Sequence, residues 1–207
     1  TSTISPIVDM ENTTNKTRNW HVLGNLYLEA QPIKGLTLKT TFSPSYFHER
    51  TGLFENAQTQ SLNNSGKETH AYIDQSEYFR WTWDNQINYQ LTLGAHSFNA
   101  MGLFSMDSYN YEDSHMEAYN VTDGTTWYNM GTGTDDKTMT SNYTENSMIS
   151  YALRLNYSYK GKYLFTGTVR WDGSSRFAPG HRWGSFPSLA VAWRLSEEEF
   201  LQRDWLS

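Results

Sequence analysis

The sequence contains no cysteine and no long apolar segment. Without cysteine, the chain can form neither a disulfide framework nor a thiolate metal site. A transmembrane helix needs about eighteen or more consecutive apolar residues, and no stretch approaches that length, so a membrane-spanning helix is excluded. Residues 1–19 also lack the basic and apolar regions of a signal peptide.

Aliphatic and charged side chains are scarce as well. Only 37% of the 207 residues are hydrophobic and 18% are charged, which is less than a soluble domain usually contains. The net charge of −6 offers no basic surface for a nucleic acid. Aromatic residues are abundant instead, at 15%. This composition is typical of a protein surface that meets a membrane interface or a sugar.

Apolar and polar residues alternate with a period of two through much of the chain, which predicts β-strands and almost no helix. Residues 78–93 form one amphipathic run, although strands of soluble proteins usually have about five or six residues. Ser196 and Glu199 fit a capping box, so a helical turn is expected over residues 196–201. Seven strands are predicted, at about residues 20–30, 36–47, 78–93, 96–107, 148–159, 163–171 and 188–195.

The predicted connections alternate between short and long. Short periplasmic turns and long extracellular loops in strict alternation are the rule for outer-membrane β-barrels. The sequence therefore predicts an all-β fold, an antiparallel up-and-down transmembrane barrel of which these strands form a segment. The short connections are residues 31–35, 94–95 and 160–162, and the long ones are residues 48–77, 108–147 and 172–187.

Each predicted strand has an apolar face, which suits lipid, and a polar face, which suits a water-filled lumen. Charged residues on the polar face could steer a polar solute or pair with acidic groups of a plug or a neighbouring strand. Aromatic residues near strand ends, Trp20, Tyr46, Trp171 and Trp193, fit the interfacial girdles of a barrel. The candidate lumen-facing residues are Arg80, Asp84, Arg154, Arg170 and Arg194.

Four consecutive segments near the end of the chain resemble one known family. Residues 151–163 read YALRLNYSYKGKY, residues 169–177 read VRWDGSSRF, residues 182–188 read RWGSFPS and residues 190–201 read AVAWRLSEEEFL. Their content and order are similar to those of the SusC/RagA family of TonB-dependent outer-membrane transporters. Residues 78–107 resemble the preceding hairpin of that family.

This resemblance implies a barrel of about 22 strands that is closed by a plug domain. It implies import of oligosaccharides, or in some cases peptides, with energy from the TonB complex and a SusD-like surface lipoprotein as lid. Residues 1–207 would be a C-terminal part of the barrel, without the plug through which TonB is contacted. The expected location is the outer membrane of a Gram-negative bacterium, in contact with its lipid. No cofactor, catalytic residue or nucleic acid is expected.

Two sets of residues are candidates for contact with a solute or the lid. One is the family-motif loop, which could instead be held together by an Asp172–Arg176 ion pair and a glycine turn. The other is a set of loop aromatics that could stack on sugar rings or pack within the loops. The motif residues are Asp172, Gly173, Ser174, Ser175, Arg176 and Phe177, and the aromatics are Trp127, Tyr128 and Tyr111, with Tyr109 and Tyr119 nearby.

Two other classes of protein remain open. A secreted carbohydrate-binding β-sandwich would have shorter strands, with aromatic residues clustered on one face or loop tip. A catalytic jelly roll would bring two acidic residues together in a groove, and the sequence cannot place such a pair. The histidines show no close metal-binding spacing, so no metal site is expected.

Overall fold

A computed structural model describes residues 5–63 and 65–198, and these residues are almost entirely β-structure. No helix in these ranges has the length and apolar character needed to cross a membrane. A helix, α1 (Pro6–Asn12), precedes the strands, and 3-10 turns occupy Thr126–Thr132 and Leu195–Glu197. The strands are β1 (Thr13–Leu23), β2 (Leu26–Ile33), β3 (Leu36–Asn56), β4 (Thr69–Leu93), β5 (His96–Tyr119), β6 (Asp135–Tyr159), β7 (Tyr163–Ser174) and β8 (Trp183–Trp193).

The eight strands form one sheet in which the neighbours follow chain order, so the predicted up-and-down arrangement is confirmed. The first predicted strand, residues 20–30, is divided because β1 and β2 pair with successive stretches of β3. The division lies opposite Pro44, whose ring nitrogen cannot donate a hydrogen bond to a ladder. The backbone carbonyl of Pro44 still accepts a hydrogen bond, from the Gly24 N–H at 2.9 Å.

The predicted limits of the long connections are wrong. Strands β3 and β4 continue through most of residues 48–77, and β5 and β6 through most of residues 108–147, which leaves connections of 57–68 and 120–134. These strand ends carry many polar residues, and their apolar residues, such as Phe54, Ala71 and Ile73, are too few to predict the pairing from the sequence. The alternation of short and longer connections is confirmed, with turns at 34–35, 94–95 and 160–162.

Contacts between residues divide the described part of the chain into two compact units. The first unit comprises the described residues of Thr1–Leu23, Ser45–Phe79 and Asn110–Glu145. The second comprises those of Gly24–Pro44, Arg80–Tyr109 and Asn146–Ser207.

One face of the second unit is apolar and exposed. The pairing places Leu155 opposite Gly167 of β7, and Gly167 opposite Leu189 of β8, so apolar residues of three strands lie side by side. Leu189 is 68% exposed and Val191 is 75% exposed. Exposure of so much aliphatic surface is unfavourable in water, whereas it is what the lipid-facing side of a barrel wall requires.

The other face of the second unit is polar, and its side chains bond to one another. Ser105 Oγ donates to Asp84 at 2.5 Å, and Thr166 Oγ1 donates to Asn156 at 2.9 Å. Arg154 Nε donates to Thr168 Oγ1 at 3.2 Å. One face of the second unit is therefore apolar and exposed, and the side chains of the opposite face form hydrogen bonds with one another.

The first unit has a small apolar core of its own. Connection 120–134 folds against the strands and inserts Trp127, which is 5% exposed. The ring lies against Gly52, where an added Cβ would be only 2.3 Å from Trp127 Cε2. The buried residues are Phe54, Ala71, Ile73, Ala118, Val121 and Trp127.

Helix α1 was not predicted, because one short helix leaves too little periodicity to detect in the sequence. It packs in the first unit through polar contacts. Asp9 Oδ1 accepts from the Gln60 N–H at 2.6 Å, and Asn12 Oδ1 accepts from Asn56 Nδ2 at 2.7 Å. At the other end of the chain, a 3-10 turn at Leu195–Glu197 overlaps the start of the predicted helical turn, but Arg194 and not Ser196 precedes it and Glu198 is extended. Residues 199–201 lie outside the described residues.

Candidate functional site

Asp172, the first residue of the family motif, pairs with Arg170. Arg170 Nε donates to both carboxylate oxygens of Asp172, at 2.8 and 2.9 Å, and Arg170 Nη2 donates to Ser150 Oγ at 3.1 Å. The predicted ion pair between Asp172 and Arg176 is therefore wrong. Residues two apart on a strand share a face, which puts Arg170 within reach of Asp172.

Gly173 is a strand residue and does not form the predicted glycine turn. It belongs to β7 and lies opposite Trp183 of β8. A Cβ at Gly173 would be 2.8 Å from Trp183 Cε2, so the indole ring occupies the space that a side chain would fill. The Trp183 ring also stacks against Tyr151, with the ring centroids 5.9 Å apart.

The two serines of the motif fasten its turn. The Ser147 N–H donates to Ser175 Oγ at 2.8 Å, and the Ser175 N–H donates to the Ser147 carbonyl at 2.9 Å. Ser174 Oγ accepts from the Arg176 N–H at 3.3 Å. Residues 172–175 thus have roles in holding the loop, whereas the side chains of Arg176 and Phe177 are exposed.

Arg176 reaches a pocket on the polar side of the second unit, with a volume of about 470 Å³. The pocket brings together two guanidinium groups, a phenol ring, serine hydroxyls and an amide. It thereby joins Arg80, a candidate from the predicted lumen face, with Arg176 of the family motif. The lining residues are Arg80, Asp107, Tyr109, Asn146, Ser147, Met148, Ser174 and Arg176.

Asp107 holds Arg80 in place. Its Oδ2 accepts from Arg80 Nε at 2.9 Å and from Thr82 Oγ1 at 3.0 Å. Arg80 still has 56% of its side chain exposed, whereas Asp107 has 14%. The single carboxylate of the pocket is therefore the less accessible member of the pair, and the lining presents positive charge to a solute.

Asn146 also lines the pocket. Its Nδ2 is buried and has no hydrogen-bond partner among the described residues. Because this atom is shielded from the pocket, a solute does not reach it, and the two guanidinium groups are the charged donors that the pocket presents. With two guanidinium groups nearby, the matching ligand carries a carboxylate and further oxygen acceptors.

The other candidate lumen residues lie outside this pocket. Asp84 and Arg154 are on the polar face of the second unit, bonded to Ser105 and Thr168. Arg170 is hydrogen-bonded to the carboxylate of Asp172. Arg194 follows the last residue of β8, and its N–H donates to the Lys162 carbonyl at 2.8 Å.

The loop aromatics have three different environments. Trp127 is buried in the core of the first unit, which fits the alternative that loop aromatics pack within the loops and not the one that they stack on sugar rings. Tyr111 belongs to β5 and is partly buried. Tyr128 is 64% exposed and keeps the predicted accessibility. Tyr109 lines the pocket; continuing the alternation of β5 beyond residue 107 would have placed it on the same face as Asp107.

A second pocket, of about 510 Å³, lies in the first unit and is acidic. Tyr46 Oη donates to Glu77 at 3.0 Å, and Asn142 Nδ2 donates to Asp113 at 3.3 Å. None of the candidate site residues lines it. Among the described residues, no group of three or more potential ligands is arranged to hold a metal ion. The lining residues are Gln75, Glu77, Glu112, Asp113, Ser114, Ser141, Asn142 and Tyr143.

Lys67 joins connection 57–68 to the start of β6 in the first unit. Its Nζ donates to Asp135 and, at 2.6 Å, to Asp136, and it lies 5.3 Å from the centre of the Tyr119 ring. The hydrogen bond from Lys67 lowers the pKa of Asp135, and the bonds to Asp135 and Asp136 raise the pKa of Lys67.

The Lys67 contact predicts a pH dependence of the mobility of connection 57–68. Because the pKa of Asp135 is lowered, the contact stabilises the connection fully above the ordinary carboxyl value of 3.8. This stabilisation is lost as the pH falls through the lowered pKa. Because the pKa of Lys67 is raised, the contact also stabilises the connection fully below the ordinary lysine value of 10.5. This stabilisation is lost as the pH rises through the raised pKa. We expect the anisotropy of a fluorophore at Gln58→Cys to be high and constant between these limits and to fall outside them.

Lys67→Met is the control for this pH dependence. It removes the charge but keeps a side chain of similar length, so the anisotropy is expected to be low at every pH. Identical profiles for the Lys67→Met protein and its parent would show that the contact does not restrain the connection.

The fold and the site together define a class of protein. Long antiparallel strands in chain order, an exposed apolar face and a hydrogen-bonded polar face are the features of a transmembrane β-barrel wall. In such a wall the apolar face contacts lipid, and the polar face borders the interior.

Comparison with curated proteins identifies TonB-dependent receptors as relatives. TonB-dependent receptor P26 of Formosa agariphila is 33% identical over 201 residues, which are 96% of this chain and 20% of that protein. TonB-dependent receptor SusC of Bacteroides thetaiotaomicron is 37% identical over 133 residues, which are 62% of this chain and 13% of that protein. The chain thus spans no more than about a fifth of the length of these relatives. No family model matches it.

Solved structures have the same fold. The structure of the RagAB peptide transporter matches with a TM-score of 0.85 and 18% identity, over 94% of this chain and 22% of that chain. The RagAB peptide importer in its open-open state matches with a TM-score of 0.83. The chain belongs to the TonB-dependent receptors, which are proteins of the Gram-negative outer membrane, and SusC is among its relatives.

Proposed function

We propose that the chain is part of the barrel wall of a TonB-linked importer and that the polar face of β4–β7 borders its lumen. The pocket of Arg80 and Arg176 carries this proposal. It lies on the polar face, and it presents two guanidinium groups to a solute. A wall pocket with these groups can bind a polar solute on its way through the barrel.

The proposed solutes are oligosaccharides or peptides that carry a carboxylate. Guanidinium groups bind carboxylates with charge-assisted hydrogen bonds, and a tyrosine ring such as Tyr109 can pack on a sugar ring or an apolar side chain. The pocket contains no pair of accessible carboxylates, so it supports binding and not hydrolysis. The name of the structural relative RagAB supports peptides as one class of solute.

A SusD-like surface lipoprotein is the proposed lid, and the TonB complex is the proposed energy source. The relatives support TonB through their name, and the lid is proposed from the resemblance of residues 148–201 to the SusC/RagA family. Arg176 and Phe177 are candidates for contact with the lid, because Phe177 is 61% exposed although the loop that carries it is held by Ser174 and Ser175.

The β-sandwich alternative has no support among the described residues. A sandwich needs two packed sheets, whereas all the described strands belong to one sheet in chain order. Strand β4 alone has 25 residues, which is much longer than strands of soluble sandwiches. The relatives are named as receptors and transporters, which also favours a non-enzymatic role.

Uptake by cells tests the proposed function. The receptor that contains this segment is expressed in a strain that lacks it, and the uptake of labelled oligosaccharides and peptides, each with and without carboxylates, is measured. We expect uptake of at least one carboxylated class, abolished when TonB is deleted. Uptake that persists without TonB, or binding without uptake of any member of the set, would contradict an importer.

A further inference from the structure

Three basic side chains lie together on one side of the β1–β3 pair in the first unit. Arg18 is directly opposite Arg50, and Lys16 is directly opposite Gly52. Residues directly opposite in an antiparallel pair have Cβ atoms about 4.5–5.5 Å apart, and like charges in these positions destabilise the pair. Among the described residues, no carboxylate is within ion-pair distance of these three. The row of Lys16, Arg18 and Arg50 is called the basic row below.

The basic row is unusual within its unit. The remaining lysines and arginines of the first unit are Lys67 and Lys137, and both are engaged. Lys67 is bonded to Asp135 and Asp136, and Lys137 Nζ donates to the Gly131 carbonyl at 3.1 Å. The other charged residues of the unit are mostly acidic. Positive charge that is concentrated in one place, with no carboxylate partner in the part of the chain that the structure describes, indicates a site for an anion.

The basic row lies between two groups of aromatic residues. Two positions further along β1 from Arg18 is Trp20, which is 68% exposed, and Tyr46 follows on the neighbouring strand opposite Val22. Exposed Trp and Tyr side chains in a barrel wall occupy the level of the lipid headgroups. On the other side, the basic row borders a small notch of about 20 Å³ lined by Lys16, Arg18, Arg50, Gly52, Trp127 and Tyr128.

We propose that the basic row binds the phosphorylated sugar headgroup of an outer-leaflet glycolipid. Arginine forks match phosphate oxygens in geometry and charge, so Arg18 and Arg50 bind one phosphate between them and Lys16 contributes a third charge. Tyr128 packs against the sugar ring, and Trp20 and Tyr46 lie beside the start of the acyl chains. The bound phosphate also removes the repulsion between Arg18 and Arg50. This site is separate from the pocket of Arg80 and Arg176.

Native mass spectrometry of the purified receptor in detergent tests the proposal. Three probes are added: bisphosphorylated lipid A, the same lipid without phosphates, and glucosamine 1-phosphate, which lacks acyl chains. We expect bisphosphorylated lipid A to bind at least about tenfold more tightly than either other probe, as the loss of one charge-assisted contact predicts. Equal binding of both lipids would overturn the phosphate contact. Binding of glucosamine 1-phosphate as tight as that of the lipid would identify a soluble phosphorylated glycan as the ligand and overturn the glycolipid.

The double variant Arg18→Gln, Arg50→Gln is expected to lose this preference for the phosphorylated lipid. Lys34→Gln, Lys160→Gln removes the same charge from two short turns and is expected to keep it. Thermal unfolding separates a binding role from a structural one. Without lipid A, the arginine variant is expected to unfold at the same or a higher temperature, because repulsion is relieved. A lower unfolding temperature together with unchanged lipid binding would show that the basic row is structural.

Discussion

The substitution Gly52→Ala is expected to displace Trp127 and to open connection 120–134. The added methyl group would lie 2.3 Å from Trp127 Cε2, far inside normal contact distance, and the indole ring cannot move aside while its neighbours Phe54 and Ile73 stay packed. Inserting a methyl group into a packed core costs about 1–3 kcal/mol and occasionally more. We expect the free energy of unfolding of the first unit to fall by an amount within this range.

Limited proteolysis of the receptor in membranes measures the opening of the connection. The Gly52→Ala protein is expected to be cut within residues 120–134 at least tenfold faster than its parent, as a loss of about 1.4 kcal/mol or more predicts. Gly131→Ala is the matched control, because it lies in the same connection and an added Cβ there meets no atom within 4 Å. Equal cleavage of the two variants would show that the close approach of Gly52 and Trp127 does not hold the connection.

The sequence was most informative where lipid imposes a pattern. Alternation along Tyr151, Leu153 and Leu155 predicts one apolar face, and the pairing of β6, β7 and β8 places the apolar residues of these strands side by side. A barrel exterior tolerates few polar residues, so each strand there carries its own signal. The fold class and the short turns could therefore be predicted without any tertiary information.

The alternation of apolar and polar residues is weaker in the parts of the strands that do not face lipid. Residues 135–147 of β6 are polar on both faces, so pairing by backbone hydrogen bonds extends the strand without a hydrophobic signal. The burial of Trp127 could not be predicted, because it depends on a glycine in a distant strand that leaves room for the ring. The sequence of a loop shows that it contains an aromatic residue, but it does not show which surface that residue packs against.

Individual residues of the candidate site could be predicted from the sequence, but their arrangement around one pocket could not. Arg80 was selected from strand alternation and Arg176 from the family motif, and only the folded sheet shows that both line one pocket. The pairing of Asp172 with Arg170 follows the period of two within one strand and could have been predicted locally. The unpartnered Asn146 amide could not, since its lack of a partner depends on packing between strands.

Replacement of both pocket arginines, Arg80→Gln with Arg176→Gln, is expected to weaken the binding of a carboxylated solute by about a hundredfold. Each charge-assisted hydrogen bond contributes about 1.5–3 kcal/mol, and about 1.4 kcal/mol corresponds to tenfold in affinity. Because both guanidinium groups would contact one solute, the single variants are not expected to add up to the double variant. Isothermal titration of the purified receptor with carboxylated and neutral forms of the same solute provides the measurement.

Two controls separate contact from the general effect of charge in this experiment. Arg154→Gln removes a positive charge from the same polar face but outside the pocket, where Arg154 is bonded to Thr168. It is expected to change affinity less than twofold, since charges farther than about 10 Å apart are largely screened at 0.1 M salt. The neutral solute is expected to bind all variants alike. If Arg154→Gln were as harmful as Arg176→Gln, the polar face would act through its overall field, and the pocket would not be the binding site.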